Sequence, residues 1–153
     1  MTIAPIVHSV EVKASPARAF DLFTRDFGKW RPAMMTIGAT PAVAIQIEPK
    51  VGGAMFERAA DGVVTPWGKV LAWEPPARLV FTWQISSQWA YDPDLLTEVE
   101  VTFEPAGEGR TKVTLVHSKL EAFGADAAQH TDHLRNGWPG VLAAFGDYIG
   151  GQA

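Results

Sequence analysis

The sequence predicts a single α+β domain: a curved antiparallel sheet of six or seven strands, one or two short helices after the first strand, and one long C-terminal helix lying across the sheet. Three observations predict it. Between Ala42 and Ser118 most of the chain alternates apolar and polar residues and is cut by tight-turn signals, the pattern of consecutive hairpins. Within that region Thr97 to Glu104 alternates cleanly with its acids on one side, as in a strand buried on one face and wet on the other. From Asp126 to Ile149 the spacing changes. Leu134, Trp138, Val141, Leu142, Phe145, Tyr148 and Ile149 recur at three- and four-residue steps, the stripe of an amphipathic helix. At about 1.5 Å per residue that helix is roughly 36 Å long, enough to span a small domain.

The elements follow in order. Ile6 to Val12 alternates weakly and reads as the first strand. Ser15–Pro16 opens a helix, with Ser as N-cap and Pro at the first helical position, and Ala19, Phe20, Leu22 and Phe23 form its buried side. A short helical turn around Arg25–Trp30 comes next, ended by Pro32, with Met34 to Thr40 as a loop. Ala42 to Glu48 and Met55 to Ala59 are strands separated by Gly52–Gly53, and Asp61–Gly62 is a hairpin turn. Val63 to Trp73 is a long strand in which Pro66 requires an edge or a bulge. After Glu74-Pro75-Pro76-Ala77 the residues Leu79, Phe81, Trp83 and Ile85 share one apolar face. Ser86 to Asp94 is an irregular link. Pro105 to Arg110 turns the chain into the last strand, Thr111 to Ser118, where Val113, Leu115 and His117 share a face. Asp126 with Gln129 reads as a capping pair for the long helix, and Gly150–Gly151 as its stop. Pro139 predicts a kink or break near Gly137 and a separate segment from Trp138.

At 153 residues the chain has enough length for one sizeable core, and residues 1–153 read as one domain without linker, repeat or low-complexity tract. A net charge of −4 argues against nucleic acid, which needs a basic face. No apolar run is long enough to cross a bilayer. Met1 to Val10 lacks the basic-then-apolar pattern of a signal peptide, so the expected location is the cytoplasm, by elimination. Cysteine is absent, which removes disulfides, thiolate metal sites and a Cys nucleophile together. No nucleophile elbow, phosphate loop or dinucleotide fingerprint occurs, so no cofactor is expected.

Six Trp and eight Phe exceed what a core of this size needs. A twisted sheet curls, and one helix does not fill a curled concave face, so large side chains or a ligand occupy the gap. Met55, Trp67, Phe81, Trp83, Phe103, Trp138 and Phe145 cluster there on this pattern, and Trp30 and Trp89 fall in loops that form its rim. Singly each reads first as core, and Trp30 and Trp89 equally as loop anchors; together several Trp around one space line a binding cleft. His117 is the most informative polar residue, either a hydrogen-bonded structural histidine or a group that orients a ligand or serves as a base. One of Glu57 and Arg58 points inward; an inward Glu57 needs a donor, and a Glu57–His117 pair would make an acid–base dyad. His130 and His133 have metal-ligand spacing but fall on the polar first turns of the helix, and no metal is expected.

Ala14 to Phe20 is similar to the opening of the START-like, SRPBCC superfamily. Gly52–Gly53, Glu57–Arg58, Asp61–Gly62, Trp67–Gly68, Trp73-Glu74-Pro75-Pro76, Arg78 to Trp83, Thr111 to His117 and Gly137–Trp138 resemble one branch of it. That branch holds bacterial proteins related to the C-terminal domain of the activator of heat-shock protein 90 ATPase. The resemblance implies a helix-grip fold, a curved sheet around a long C-terminal helix with a cavity between. The reading is a domain that binds a hydrophobic, aromatic or lipid-like small molecule on Trp67, Trp83 and Trp138, with His117 and Glu57 at its polar end. The alternatives are a co-chaperone-like module with a chaperone as partner, and a cyclase- or hydrolase-like enzyme using His117. Homodimerisation fits the fold but has no signature in the sequence.

Overall fold

The computed structural model describes residues 3–30, 37 and 42–151. The chain runs β1 (Ile6–Val12), α1 (Pro16–Arg25), α2 (Phe27–Trp30), β2 (Ala42–Ile47), β3 (Ala54–Ala59), β4 (Val64–Glu74), β5 (Arg78–Trp83), β6 (Thr97–Pro105) and β7 (Thr111–Ser118). A 3-10 segment, Leu120–Asp126, then leads into α3 (Ala127–Gly150). The strands form one antiparallel sheet in the order β1-β7-β6-β5-β4-β3-β2. The first strand therefore pairs with the last, Ile6 opposite His117 and Val12 opposite Thr111. The loop expected over Met34 to Thr40 lies outside the described residues except for Ile37.

Turn chemistry sets the hairpins. Gly62 takes φ +90° and the Asp61 carboxylate accepts the Val63 N–H, closing the β3–β4 turn. The bulge expected from Pro66 is present: register shifts where Met55 pairs with Gly68 but Phe56 pairs with Pro66. Pro66 faces out and Trp67 is buried. A Cβ on Gly68 would stand 1.9 Å from the Thr82 carbonyl oxygen, so β4 and β5 approach here only because residue 68 has no side chain. β5 departs from simple alternation. Thr82 is as buried as Trp83, because its hydroxyl accepts the Lys69 N–H and donates to Gln84, whose amide in turn reaches the Pro93 carbonyl.

α1 begins as predicted, with the Ser15 hydroxyl accepting the Arg18 N–H. α2 shields an edge of the sheet. Its Gly28 lies against the backbone of β2, where a Cβ would come within 2.8 Å of the Ile45 carbonyl, so the outermost strand is not left open along that stretch.

α3 differs from expectation in two ways. Asp126 does not cap it; its carboxylate accepts instead from the Ser87 hydroxyl at 3.1 Å. The helix also does not break into two segments: it runs from Ala127 to Gly150 with Pro139 inside. Proline leaves the carbonyl four residues back without its helical donor. Here that carbonyl belongs to Arg135, and the His8 ring of β1 reaches it at 3.1 Å through Nε2. A side chain from the sheet thus replaces the bond that Pro139 cannot make. At the other end the Tyr148 hydroxyl donates to Asp26 at 2.7 Å, tying α3 to the α1–α2 junction.

Candidate functional site

The space between sheet and α3 contains two unlike clusters. The first is built on α1, α2 and the C-terminal half of α3. Phe23 packs edge to face on Phe27, Phe103 and Phe145, with centroids 6.0, 5.6 and 5.1 Å away. Trp30 was expected at a rim. It is buried instead at the end of α2, 5.0 Å from Phe145, with its indole N–H donated to the Phe23 carbonyl at 3.0 Å. Met55 and Phe81 are buried as well.

The second cluster is a row of three indoles. Trp67 on β4 meets Trp83 on β5 at 5.9 Å, and Trp83 meets Trp138 on α3 at 5.3 Å, both edge to face. The two outer indoles have acceptors. Trp67 donates to Glu57 Oε1 at 2.8 Å, and Trp138 donates to His117 Nδ1 at 3.2 Å. The middle one has none: Trp83 Nε1 is buried, in a residue only 5% exposed, and makes no hydrogen bond. A buried N–H without a partner costs about 1–3 kcal/mol.

Glu57 is the inward member of its pair and Arg58 the outward one, with the Arg58 guanidinium 5.6 Å over Phe56. Glu57 Oε1 also accepts the Ile37 N–H. His117 is fully buried, in phase with Val113 and Leu115 as predicted. Because an indole only donates, His117 Nδ1 must be an acceptor. The proton is therefore on Nε2 and is given to the Thr97 hydroxyl at 2.9 Å; that hydroxyl passes its own proton to the Trp83 carbonyl at 2.7 Å. Burial, reinforced by the nearby His130, lowers the His117 pKa from 6.5 to about 3. Both ring nitrogens are thus engaged and the ring is neutral. Glu57 and His117 are not joined by a hydrogen bond; each holds its own tryptophan. Trp83, His117 and Trp138 touch edge to face, with centroids between 5.3 and 5.9 Å, so no aromatic ring fits between them in this arrangement. A groove of about 330 Å³ lies elsewhere, between α1 and the β4–β5 turn, bounded by Phe20, Thr24, Trp73, Pro75 and Pro76.

Two residues at the start of α3 belong with this second cluster. His130 was expected on the polar first turns of the helix but is 2% exposed, as is its neighbour Thr131, and His130 Nε2 and Thr131 Oγ1 have no hydrogen-bond partner. With Trp83 Nε1 they are the orphaned buried side-chain polar atoms among the described residues. The His130 ring packs on Phe123 at 4.6 Å and beneath Trp89 at 5.1 Å. Trp89 is 49% exposed. The sequence signal for His130 was its four-residue step to Leu134 and then Trp138, which places it beside the apolar stripe rather than opposite it.

A family model described as Activator of Hsp90 ATPase homolog 1-like protein matches residues 13–150. No curated protein sequence matches the chain. Among solved structures, an anthrahydroquino-gamma-pyrone synthase is similar at 36% identity, over 95% of this chain and 97% of that one, with a TM-score of 0.67. The self-sacrificing resistance protein CalC from Micromonospora echinospora is similar at 27% identity, over 98% and 96%, with a TM-score of 0.74. An HSP90 activator from Plasmodium falciparum shares the fold at 17% identity, over 97% of each chain, with a TM-score of 0.66.

Proposed function

This chain belongs to the Activator of Hsp90 ATPase homolog 1-like family, and from that premise we propose that it binds a hydrophobic aromatic small molecule between the sheet and α3, at the Trp83 position. The observation that carries the reading is the unpartnered Trp83 N–H, flanked by two indoles whose N–H groups are satisfied. A fold that places acceptors for Trp67 and Trp138 and none for Trp83 leaves that donor for a guest's carbonyl or ether oxygen. Because the rings are in contact, entry requires Trp138 or the 3-10 segment ahead of α3 to draw back from the sheet. Burial of the guest's apolar area then contributes roughly 25 cal/mol per Å², less the ordering costs. Native mass spectrometry of freshly purified protein is expected to retain a small molecule that is lost on Trp83→Phe. A wild-type protein that carries no adduct and shows no tryptophan quenching by 9,10-anthraquinone would remove the proposal.

The identity to the pyrone synthase favours a catalytic form of the same binding, ring closure on an aromatic substrate. Under that reading Glu57 rather than His117 moves the proton. Glu57 is a buried carboxyl group that accepts from Trp67 and Ile37 through Oε1 and carries several lone pairs, whereas the single lone pair of neutral His117 is occupied by Trp138. Glu57→Gln should then abolish turnover while retaining ligand. A co-chaperone role is the remaining reading. It would use the outer face of β2–β4, where Val43, Val63 and Val64 are exposed. Failure to stimulate a chaperone ATPase would set it aside.

A further inference from the structure

We propose that His130 and Thr131 form a second polar subsite, beneath Trp89, that holds the hydroxyl-bearing end of the same ligand. This rests on the binding reading above and extends it to the chemistry of the guest. Both side chains are nine-tenths or more buried, and His130 Nε2 and Thr131 Oγ1 make no hydrogen bond within the protein. Thr131 precedes Trp138 by seven residues and so lies on the same line of α3, about 10 Å back along the axis. A ligand of several fused rings whose acceptor reaches Trp83, which packs on Trp138 at 5.3 Å, has the length to extend back toward Thr131. His130 is linked to His117 through Phe123, whose ring lies 4.6 Å from the one and 6.2 Å from the other. Burial first, then His133, holds the His130 pKa below the ordinary imidazole value, so the ring is neutral and able to accept from a phenolic hydroxyl. Thr131 both donates and accepts. The pair therefore suits a hydroxyl better than a carbonyl.

Two aromatic rings, Trp89 and Phe123, cover His130. Trp89 takes φ +59°, a conformation few non-glycine residues adopt, and lays its ring over His130. Lys119, which opens the 3-10 segment bearing Phe123, takes φ +61°. The Ser87–Asp126 bond fastens the Trp89 loop to the start of α3. The two left-handed backbones thus belong to the two segments whose rings pack on His130.

The test compares two probes, 9,10-anthraquinone and 2-hydroxy-9,10-anthraquinone, whose hydroxyl is remote from both carbonyls and free to bond outward, by tryptophan quenching. Wild-type protein should bind the hydroxylated probe about tenfold more tightly, the effect of one buried hydrogen bond. Thr131→Val and His130→Phe should each lose that advantage and leave the unsubstituted probe unchanged. Thr131→Val, nearly isosteric, should also raise the melting temperature of the ligand-free protein, because it removes a buried hydroxyl that has no partner. Equal weakening of both probes, or a lower melting temperature, would mean that Thr131 is structural and would overturn the subsite. Wild-type binding of both probes with equal affinity overturns the subsite alone. Binding of neither probe overturns the parent reading with it.

Discussion

The phenylalanine cluster under α1 and α2 and the indole row under the first half of α3 lie in the same cleft and are about equally buried, yet they are differently finished. In the first, Trp30 has its acceptor and the remaining contacts are ring on ring. In the second lie Glu57, His117 and all three orphaned polar atoms. Burial alone does not distinguish the two clusters. Hydrogen-bond completeness does, because a group that only has to hold the fold together has no reason to retain an unmet donor.

The largest expected effect tests the first cluster. Phe145→Ala should cost about 3–5 kcal/mol in urea unfolding, since Phe145 packs on Phe23 and Trp30 in a space that cannot collapse. A loss under 1 kcal/mol would mean that this half is not the stabilising one. Next is the pH dependence of the second cluster. Unfolded His117 takes up a proton near pH 6.5 and folded His117 near pH 3. Its contribution is therefore complete above pH 6.5 and is lost as pH falls toward 3. Between pH 7 and 4.5 about 2–3 kcal/mol of stability should disappear on this account. His117→Gln should flatten that slope by about one proton; an unchanged slope would show that His117 is solvated.

His8→Ala should cost about 1 kcal/mol by leaving the Arg135 carbonyl unmet, and less in a Pro139→Ala background, where the helix supplies its own donor. Additive effects in the double variant would break the link between His8 and Pro139. The smallest effect is the sharpest for the comparison. Trp30→Phe should cost about 1 kcal/mol more than Trp83→Phe, although both lose the same buried indole volume, because only Trp30 loses a hydrogen bond. Equal costs would erase the distinction between the clusters.

Much of this was readable from residues. The alternation of Thr97 to Glu104, the Asp61–Gly62 turn, the Ser15–Pro16 helix start and the phase of His117 with Leu115 all follow from local periodicity and turn chemistry. The arrangement of strands also agreed with the family resemblance. Less was readable of the site. That Trp67, Trp83 and Trp138 would meet followed from phase, but not which indole would lack an acceptor. Glu57 turned inward in phase with Met55 and Ala59 on β3, and the residue pair Glu57–Arg58 by itself did not show that phase.

By itself the sequence determined the elements, their faces and the kind of side chain that fills the cleft, because these depend on residues a few positions apart. The tertiary structure alone decided that Pro139 could remain inside a continuous helix, through a histidine 127 positions from the carbonyl it serves. It also decided that Trp30 became core and that His130 was buried. Hydrogen-bond partners at that separation are chosen by how helix and sheet dock, and docking is a property of the whole chain.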